Sequence, residues 1–289
     1  MANVLITGCS TGIGLACAIE FAKNGFTTIA TMRNLSKAHA LNAAAAQAGV
    51  QVEILELDVT VPESVNACVA DVLSRMDIDV LVNNAGVAGA TPLELVDEAR
   101  HKAMFEANYF GVIRLTQALL PHMRERRQGT IINMSSVAGR IAIPNQVPYS
   151  ASKWALEAAS EALAHEMANF GVRVRIIEPG VILTNIFDNA AEHTVYDKAS
   201  PYINIMRRNG KFYAAGFKSA VGPEEVARVV VESALSESDQ LRYLVGDDAK
   251  GWVDGRARMT DAQWVAMGGD LSDSEYNEQF HERFGIELP

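Results

Sequence analysis

No other stretch narrows the choice of fold as far as Thr7-Gly8-Cys9-Ser10-Thr11-Gly12-Ile13-Gly14. It follows an apolar run, Val4-Leu5-Ile6, and precedes apolar residues at helical spacing, Ile13, Ala16, Cys17 and Phe21. That order reads as strand, glycine turn, helix. Glycine lets a backbone turn tightly and lets a ligand approach it closely. The helix behind the turn presents unpaired N–H groups and a positive dipole end, which suits a diphosphate. The glycines run Gly-x-x-x-Gly-x-Gly, not the commoner Gly-x-Gly-x-x-Gly. A packing turn that binds nothing is the alternative, so the motif needs support from elsewhere in the chain.

The support begins with the order of elements. β-rich runs at residues 3–7, 27–31, 52–57, 80–82, 129–134, 173–177 and 243–245 alternate with helical patterns. The helical patterns cover residues 13–24, 37–48, 63–74, 97–127, 148–170 and 223–236. Such alternation predicts an α/β fold, a doubly wound parallel sheet flanked by helices. Continuous apolar strands fit a sheet covered on both faces. Nearly half of the 289 residues are apolar, enough for a substantial core. One domain is expected over residues 1–246, with a C-terminal extension over 247–289.

In an open sheet of this kind, ligands bind beyond the carboxyl ends of the strands. The predicted ends carry the glycine loop, Met32-Arg33-Asn34, Asp58-Val59, Asn83-Asn84-Ala85-Gly86, Ser135-Ser136 and Glu178-Pro179-Gly180. Each is polar or glycine-bearing, which points to one continuous site. An NAD-specific site usually has a carboxylate at the end of the second strand, on the ribose hydroxyls. This chain has Arg33 there, and a guanidinium holds a 2′-phosphate where a carboxylate repels it. NADP is therefore favoured over NAD. The Thr11 hydroxyl is a second contact for that phosphate. Arg33 as an ordinary solvated arginine is the alternative. Asp58 has two equal readings, an adenine contact or a turn residue before Pro62.

Tyr149 and Lys153 lie four apart in a helical pattern and share one face. An ordinary tyrosine, with a pKa near 10, is ionised in only about one molecule in a thousand at pH 7. A cation within about 4–6 Å lowers a pKa by about one to three units, which makes the phenol a workable acid–base. Ser136, thirteen residues earlier, carries a hydroxyl suited to hold a substrate oxygen.

Across about residues 2–245 the chain resembles the short-chain dehydrogenase/reductase family. The resemblance rests on the glycine loop, Asn83-Asn84-Ala85-Gly86, Asn108, Ser136, Tyr149-Ser150-Ala151-Ser152-Lys153 and Pro179-Gly180. It implies that Tyr149 is the acid–base, Ser136 positions the substrate oxygen, and Lys153 binds the nicotinamide ribose and lowers the tyrosine pKa. It implies that Asn108 holds a water in a proton relay. The cofactor contacts it implies are Gly8, Ser10, Thr11, Gly12, Ile13, Gly14, Arg33, Asp58, Val59, Asn84, Gly86, Tyr149, Lys153, Pro179, Gly180, Val181 and Thr184. Gly8-Cys9-Ser10-Thr11-Gly12 and Ala30-Thr31-Met32-Arg33 look similar to 17β-hydroxysteroid and retinol dehydrogenases of the family. The expected activity is NADP-linked interconversion of a secondary alcohol and a ketone. The alternatives are an NAD-linked alcohol dehydrogenase, a non-catalytic nucleotide sensor, and an epimerase or dehydratase.

Residues 185–219 are expected to form a substrate lid. They hold Ile186, Phe187, Tyr196, Tyr202, Ile203, Ile205, Met206, Phe212, Tyr213 and Phe217, a lining for a bulky, weakly polar ketone. His193, Arg207, Arg208 and Lys211 are read mainly as solvated charges, with a substrate carboxylate as the alternative. The extension carries Trp252, Trp264, Met267, Tyr276, Phe280 and Phe284, expected to anchor it to its own subunit or a neighbour. A homodimer or homotetramer is expected. A balance of 25 basic against 35 acidic residues disfavours nucleic acid. No apolar run reaches the roughly 18 residues of a membrane span. Cys9, Cys17 and Cys68 lack metal-ligand spacing, so no metal is expected. The start, Met1-Ala2-Asn3, enters a strand without a leader pattern, and a cytoplasmic location is expected.

Overall fold

The computed structural model describes residues 2–184, 190, 194 and 196–289. Seven strands, β1 (Asn3–Ile6), β2 (Thr27–Met32), β3 (Glu53–Glu56), β4 (Val80–Asn83), β5 (Gly129–Met134), β6 (Val172–Pro179) and β7 (Arg242–Val245), make one sheet. The order is β3-β2-β1-β4-β5-β6-β7, and every pair is parallel. The chain reverses its direction of travel between β1 and β4, and a crevice opens above their carboxyl ends.

Strand side chains alternate between two helical layers. Val4, Ile6, Val80, Val82 and Ile132 pack with α1 (Gly12–Lys23), α2 (His39–Ala48) and α8 (Pro223–Leu235). Leu5, Leu81 and Ile131 pack with α3 (Pro62–Leu73), α5 (Gly111–Arg126) and α6 (Val147–Met167). Both layers are apolar, so these strands show no polar face. Each fully buried side chain of this kind contributes about 1.5–3 kcal/mol.

Two local features set the site. The single helix expected over residues 97–127 is interrupted: α4 (Glu98–Phe105) passes through a π turn (Glu106–Phe110) before α5. Gly111 packs so tightly on Val59 that a Cβ there would lie 2.8 Å from Val59 Cγ2. The extra residue of the π turn re-aims the side chains beside it, and Asn108 is fully buried. The middle of α6 is held to the sheet by a buried polar chain. Asn83 donates to Asn133 at 2.8 Å, and Asn133 donates to Ser160 on α6 at 2.8 Å. Such a network rigidifies the helix that carries Tyr149 and Lys153.

A third core lies at one end of the sheet. There α7 (Ile203–Phe217) meets α9 (Asp247–Ala257), α10 (Asp261–Ala266) and α11 (Asp273–Phe284). Phe212 stacks on Trp252 at 4.0 Å between ring centroids, and Phe280 and Phe284 join them. The C-terminal segment thus packs on its own chain. Its three helices, and α7, carried no pattern read from the sequence.

Candidate active site

The glycine loop is a cradle in which side chains have no room. Gly8 has φ +73°, and a Cβ there would sit 2.9 Å from Ala85 Cα. A Cβ on Gly14 would lie 2.4 Å from the Gly8 carbonyl oxygen. Gly12 has φ +59° and faces Thr184, whose side chain would be 3.4 Å from an added Cβ. Thr11 is the N-cap of α1, yet its side chain makes no cap hydrogen bond. The first N–H groups of the helix therefore have no side-chain oxygen on them. This bare, positive helix end behind an open loop fits a dinucleotide diphosphate. Ser10 and Ile13 border the same cradle, while Cys9 is turned inward, its thiol on the Ile6 carbonyl. Burial pushes that thiol up to about 12, so it is inert at neutral pH.

β4 is tied to the loop by side chains. Thr7 Oγ1 accepts from the N–H groups of Asn84 and Ala85, both at 2.9 Å. The Asn84 amide donates to the Thr7 and Gly8 carbonyls at 2.8 and 3.3 Å. Gly86, two residues on, lies over the catalytic candidates. A Cβ there would meet Asn108 Oδ1 at 3.1 Å and Lys153 Nζ at 3.8 Å.

Ser136, Tyr149, Lys153 and Asn108 converge at this point. Ser136 caps a short turn, its Oγ accepting from Ala138 N–H at 3.1 Å, and hydrogen bonds with the Tyr149 phenol. Lys153 Nζ donates to the Met134 carbonyl at 2.8 Å and lies 5.9 Å from the centre of the Tyr149 ring. Asn108 donates to Val87 O and Ser152 Oγ and accepts from Val87 N–H. Burial pushes the Tyr149 phenol above its ordinary value, and the Ser136 hydrogen bond pulls it part of the way back. Burial pushes Lys153 down to about 8, against the pull of the Glu157 carboxylate. In the protein alone the phenol thus stands above, not below, its ordinary value. Removing the phenolate from water is the largest cause.

Arg33 is exposed at the end of β2 and makes no ion pair or hydrogen bond among the described residues. Asp58 Oδ1 accepts from Thr60 N–H at 2.9 Å and Thr60 Oγ1 at 2.7 Å, so one of its oxygens holds a turn. Val59 is buried under α5. Pro179 ends β6, and Val181 is buried in the third core.

Two residues near the site, Gln146 and Asp248, were not singled out in the sequence. Gln146 hydrogen bonds with the Tyr213 hydroxyl, which burial pushes up and nearby Tyr149 pushes further. Asp248, from the extension, accepts from Val181 N–H at 2.7 Å. Gly180 and Gly246 crowd it so closely that a Cβ on either would lie within 2.6 Å of Asp248 Oδ1. The extension thus braces the loop after β6. A Gly-Asp-Asp run, Gly246-Asp247-Asp248, was the only trace of this in the sequence.

The charges expected to be solvated are engaged instead. Arg207 pairs with Asp273 at 2.7 Å, Lys211 approaches it at 3.5 Å, and buried Arg208 donates to the Leu271 carbonyl at 2.7 Å. They staple α7 to the extension. Asn185, Ile186, Phe187 and His193 lie outside the described residues. A cavity of about 220 Å³ lies between α7 and the extension, with Ile141, Ile143, Ile205, Phe212, Met267 and Phe280 in its walls. Among the described residues, no helix is long and apolar enough to cross a membrane.

Residues 2–194 match the family described as short chain dehydrogenase. Retinol dehydrogenase 8 of Homo sapiens is 42% identical over 186 residues, 63% of this chain and 59% of that protein. The Bos taurus protein of the same name is 41% identical over 254 residues, 83% of this chain and 80% of its own. A short-chain dehydrogenase structure from Streptomyces avermitilis has a TM-score of 0.79 at 35% identity, covering 93% of this chain and 98% of that one. A metagenomic short-chain oxidoreductase in complex with NADP has a TM-score of 0.68 at 28% identity, covering 84% and 96%.

Proposed function

The chain belongs to the short-chain dehydrogenase family and is an oxidoreductase, and from that premise we propose that it reduces a bulky apolar ketone to a secondary alcohol with NADPH. The observation that carries this reading is the convergence of Ser136, Tyr149, Lys153 and Asn108 beside the glycine cradle. Bound NADPH would supply a hydride to the carbonyl carbon. Tyr149 stays protonated at neutral pH, so it holds the proton that the new alkoxide needs. A raised phenol favours this direction over alcohol oxidation, which needs a phenolate. Ser136, bonded to the same phenol, holds the carbonyl oxygen as its charge grows. Lys153, charged below about pH 8, steadies the phenolate left behind. Asn108 would hold the water through which the pair is reprotonated.

Gly8, Ser10, Thr11, Gly12, Ile13 and Gly14 would take the diphosphate. Asn84, Asp58 and Val59 would face the adenosine, and Gly86, Pro179, Gly180, Val181 and Thr184 the nicotinamide side. The unpaired guanidinium of Arg33 supports NADP over NAD. The metagenomic relative bound to NADP agrees with that choice. The apolar cavity supports a large ketone; it exceeds the roughly 150 Å³ that admits benzene in an engineered core. The retinol dehydrogenase names among the relatives point the same way. Residues 1–246 would then serve the cofactor and 247–289 would wall the substrate side. Exposed Phe110 and Trp154 support self-association, testable by light scattering. A panel of steroids, retinoids and aryl ketones with NADPH or NADH, followed at the nicotinamide absorbance, tests the reading. Turnover of a bulky ketone with NADPH preferred is the expected result; turnover with NADH alone would refute the cofactor assignment.

A further inference from the structure

The cavity between α7 and the extension is walled by apolar side chains except on one side, where Arg208 and Asn209 of α7 stand. Asn209 is engaged, its amide donating to the Pro144 carbonyl at 3.0 Å. Arg208 is 7% exposed, with its guanidinium 4.4 Å from the centre of the Tyr276 ring. Its Nη1 donates to the Met267 and Gly269 carbonyls at 3.5 and 3.3 Å, and its Nη2 to the Leu271 carbonyl at 2.7 Å. Those carbonyls belong to the turn that joins α10 to α11.

A guanidinium has five N–H donors, and three carbonyls take at most three of them. The Nε–H is among those left over: Nε is buried with no hydrogen-bond partner in the protein. Tying the turn accounts for the two Nη atoms and not for Nε. The charge is unmatched as well. Arg207 and Lys211, its neighbours on α7, share Asp273. No carboxylate of the described residues forms an ion pair with Arg208, although exposed Asp270 lies between two of the carbonyls it holds. A buried cation without an anion is costly. Its hydration is lost on folding, so a carboxylate entering the cavity gives up only its own water and gains a charge-assisted hydrogen bond.

We propose that Arg208 determines specificity and that the substrate is a keto acid, whose apolar body fills the cavity, whose carboxylate is held by Arg208 and whose carbonyl lies at Tyr149. The Tyr149 ring packs on the same core whose residues wall the cavity, so one elongated ligand spans both. The carboxylate is far from the reacting carbon, so the contact is made equally in the ground state and the transition state and acts on KM rather than kcat. This inference rests on the proposed ketone reduction and narrows its substrate from bulky ketones to those that carry an acid.

The test compares a homologous series of ω-benzoylalkanoates with their primary amides, using NADPH and the full-length protein. In wild type the acid should exceed its amide in kcat/KM by about tenfold at the best chain length, with the difference in KM. Arg208→Met should erase that preference, and Arg208→Lys, which keeps the charge, should retain part of it. The acid-to-amide ratio is read within each variant, so a general loss from a loosened turn cancels. Amides turned over as well as the acids by wild type overturn the proposal, whether or not any variant folds. An acid preference that survives in folded Arg208→Met assigns Arg208 to the turn alone and also overturns it. If wild type reduces no member of the series, ketone reduction fails, and calorimetry with ω-phenylalkanoates, which lack the carbonyl, reads the anion site by itself. Binding to wild type that Arg208→Met abolishes supports the carboxylate site; no binding to wild type overturns it.

Discussion

The cradle above β1 and β4 and the cavity between α7 and the extension are built by different rules. The cradle is made of backbone. Its shape follows from glycines at fixed intervals, Gly8, Gly12 and Gly14, and from Thr7 and Asn84 tying two strand ends together. The cavity is made of side chains: Ile143, Phe212, Trp264 and Phe284 come from separate segments far apart in sequence. Backbone-built sites tolerate almost no substitution, since an added Cβ meets atoms that cannot move. Side-chain-built sites change partners more freely, at a cost set by the volume lost. The first kind suits a common cofactor and the second a particular substrate.

The largest expected effect falls at the phenol beside the cradle. Tyr149→Phe should lower kcat by about 10²–10⁴-fold with NADPH affinity intact, checked by turnover and by cofactor fluorescence. Retained turnover would move the proton to another group. In the third core, behind the cavity wall, Trp252→Ala should cost about 3–5 kcal/mol of stability, read from denaturant unfolding, because Trp252 is 1% exposed and stacked on Phe212. If NADPH affinity falls equally, the two regions are not separable and the comparison fails.

Lys153 sharpens the contrast from the cradle side. Its folded pKa near 8 lies below its ordinary 10.5, so between those values the unfolded chain binds more protons. Its contribution to stability therefore rises with pH across that window, and below about pH 8 the buried charge costs of order 3 kcal/mol. Lys153→Met should raise the Tm at pH 7 and flatten its rise towards pH 10, while abolishing activity. An unchanged Tm would mean that the lysine is not held at strain. The smallest effect belongs to the cradle's rim. Arg33→Asp should weaken NADP binding by about ten- to a hundredfold, the worth of one charge-assisted hydrogen bond, and leave NAD binding no worse. Equal losses for both cofactors would assign Arg33 to folding.

The same division explains what the sequence made legible. The seven strands, the glycine turn and the Tyr149–Lys153 pair have local signatures, periodicity and spacing, and each was readable in one dimension. The break in the helix before α5 was not, because the helical period of residues 97–127 does not mark it; it lies beside the close approach of Gly111 to Val59 across the fold. Helices α9 to α11 were hidden by their many charges, which drown the apolar period; their burial comes from contact with α7. Asp248 was hidden because its role is to accept a single N–H from a loop 67 residues away. The tyrosine's acidity depends on burial, and spacing says nothing about that.

The proposed reaction brings hydride and proton to one carbonyl beside Tyr149. Transfer of deuterium from NADPH labelled at its reactive carbon, followed by mass spectrometry of the alcohol, tests this most directly. One deuterium at the carbinol carbon, formed about 10²–10⁴-fold more slowly with Tyr149→Phe, is the predicted result. A protein that binds NADPH yet gives no labelled alcohol from any bulky ketone, or an equal rate from the phenylalanine variant, would contradict it.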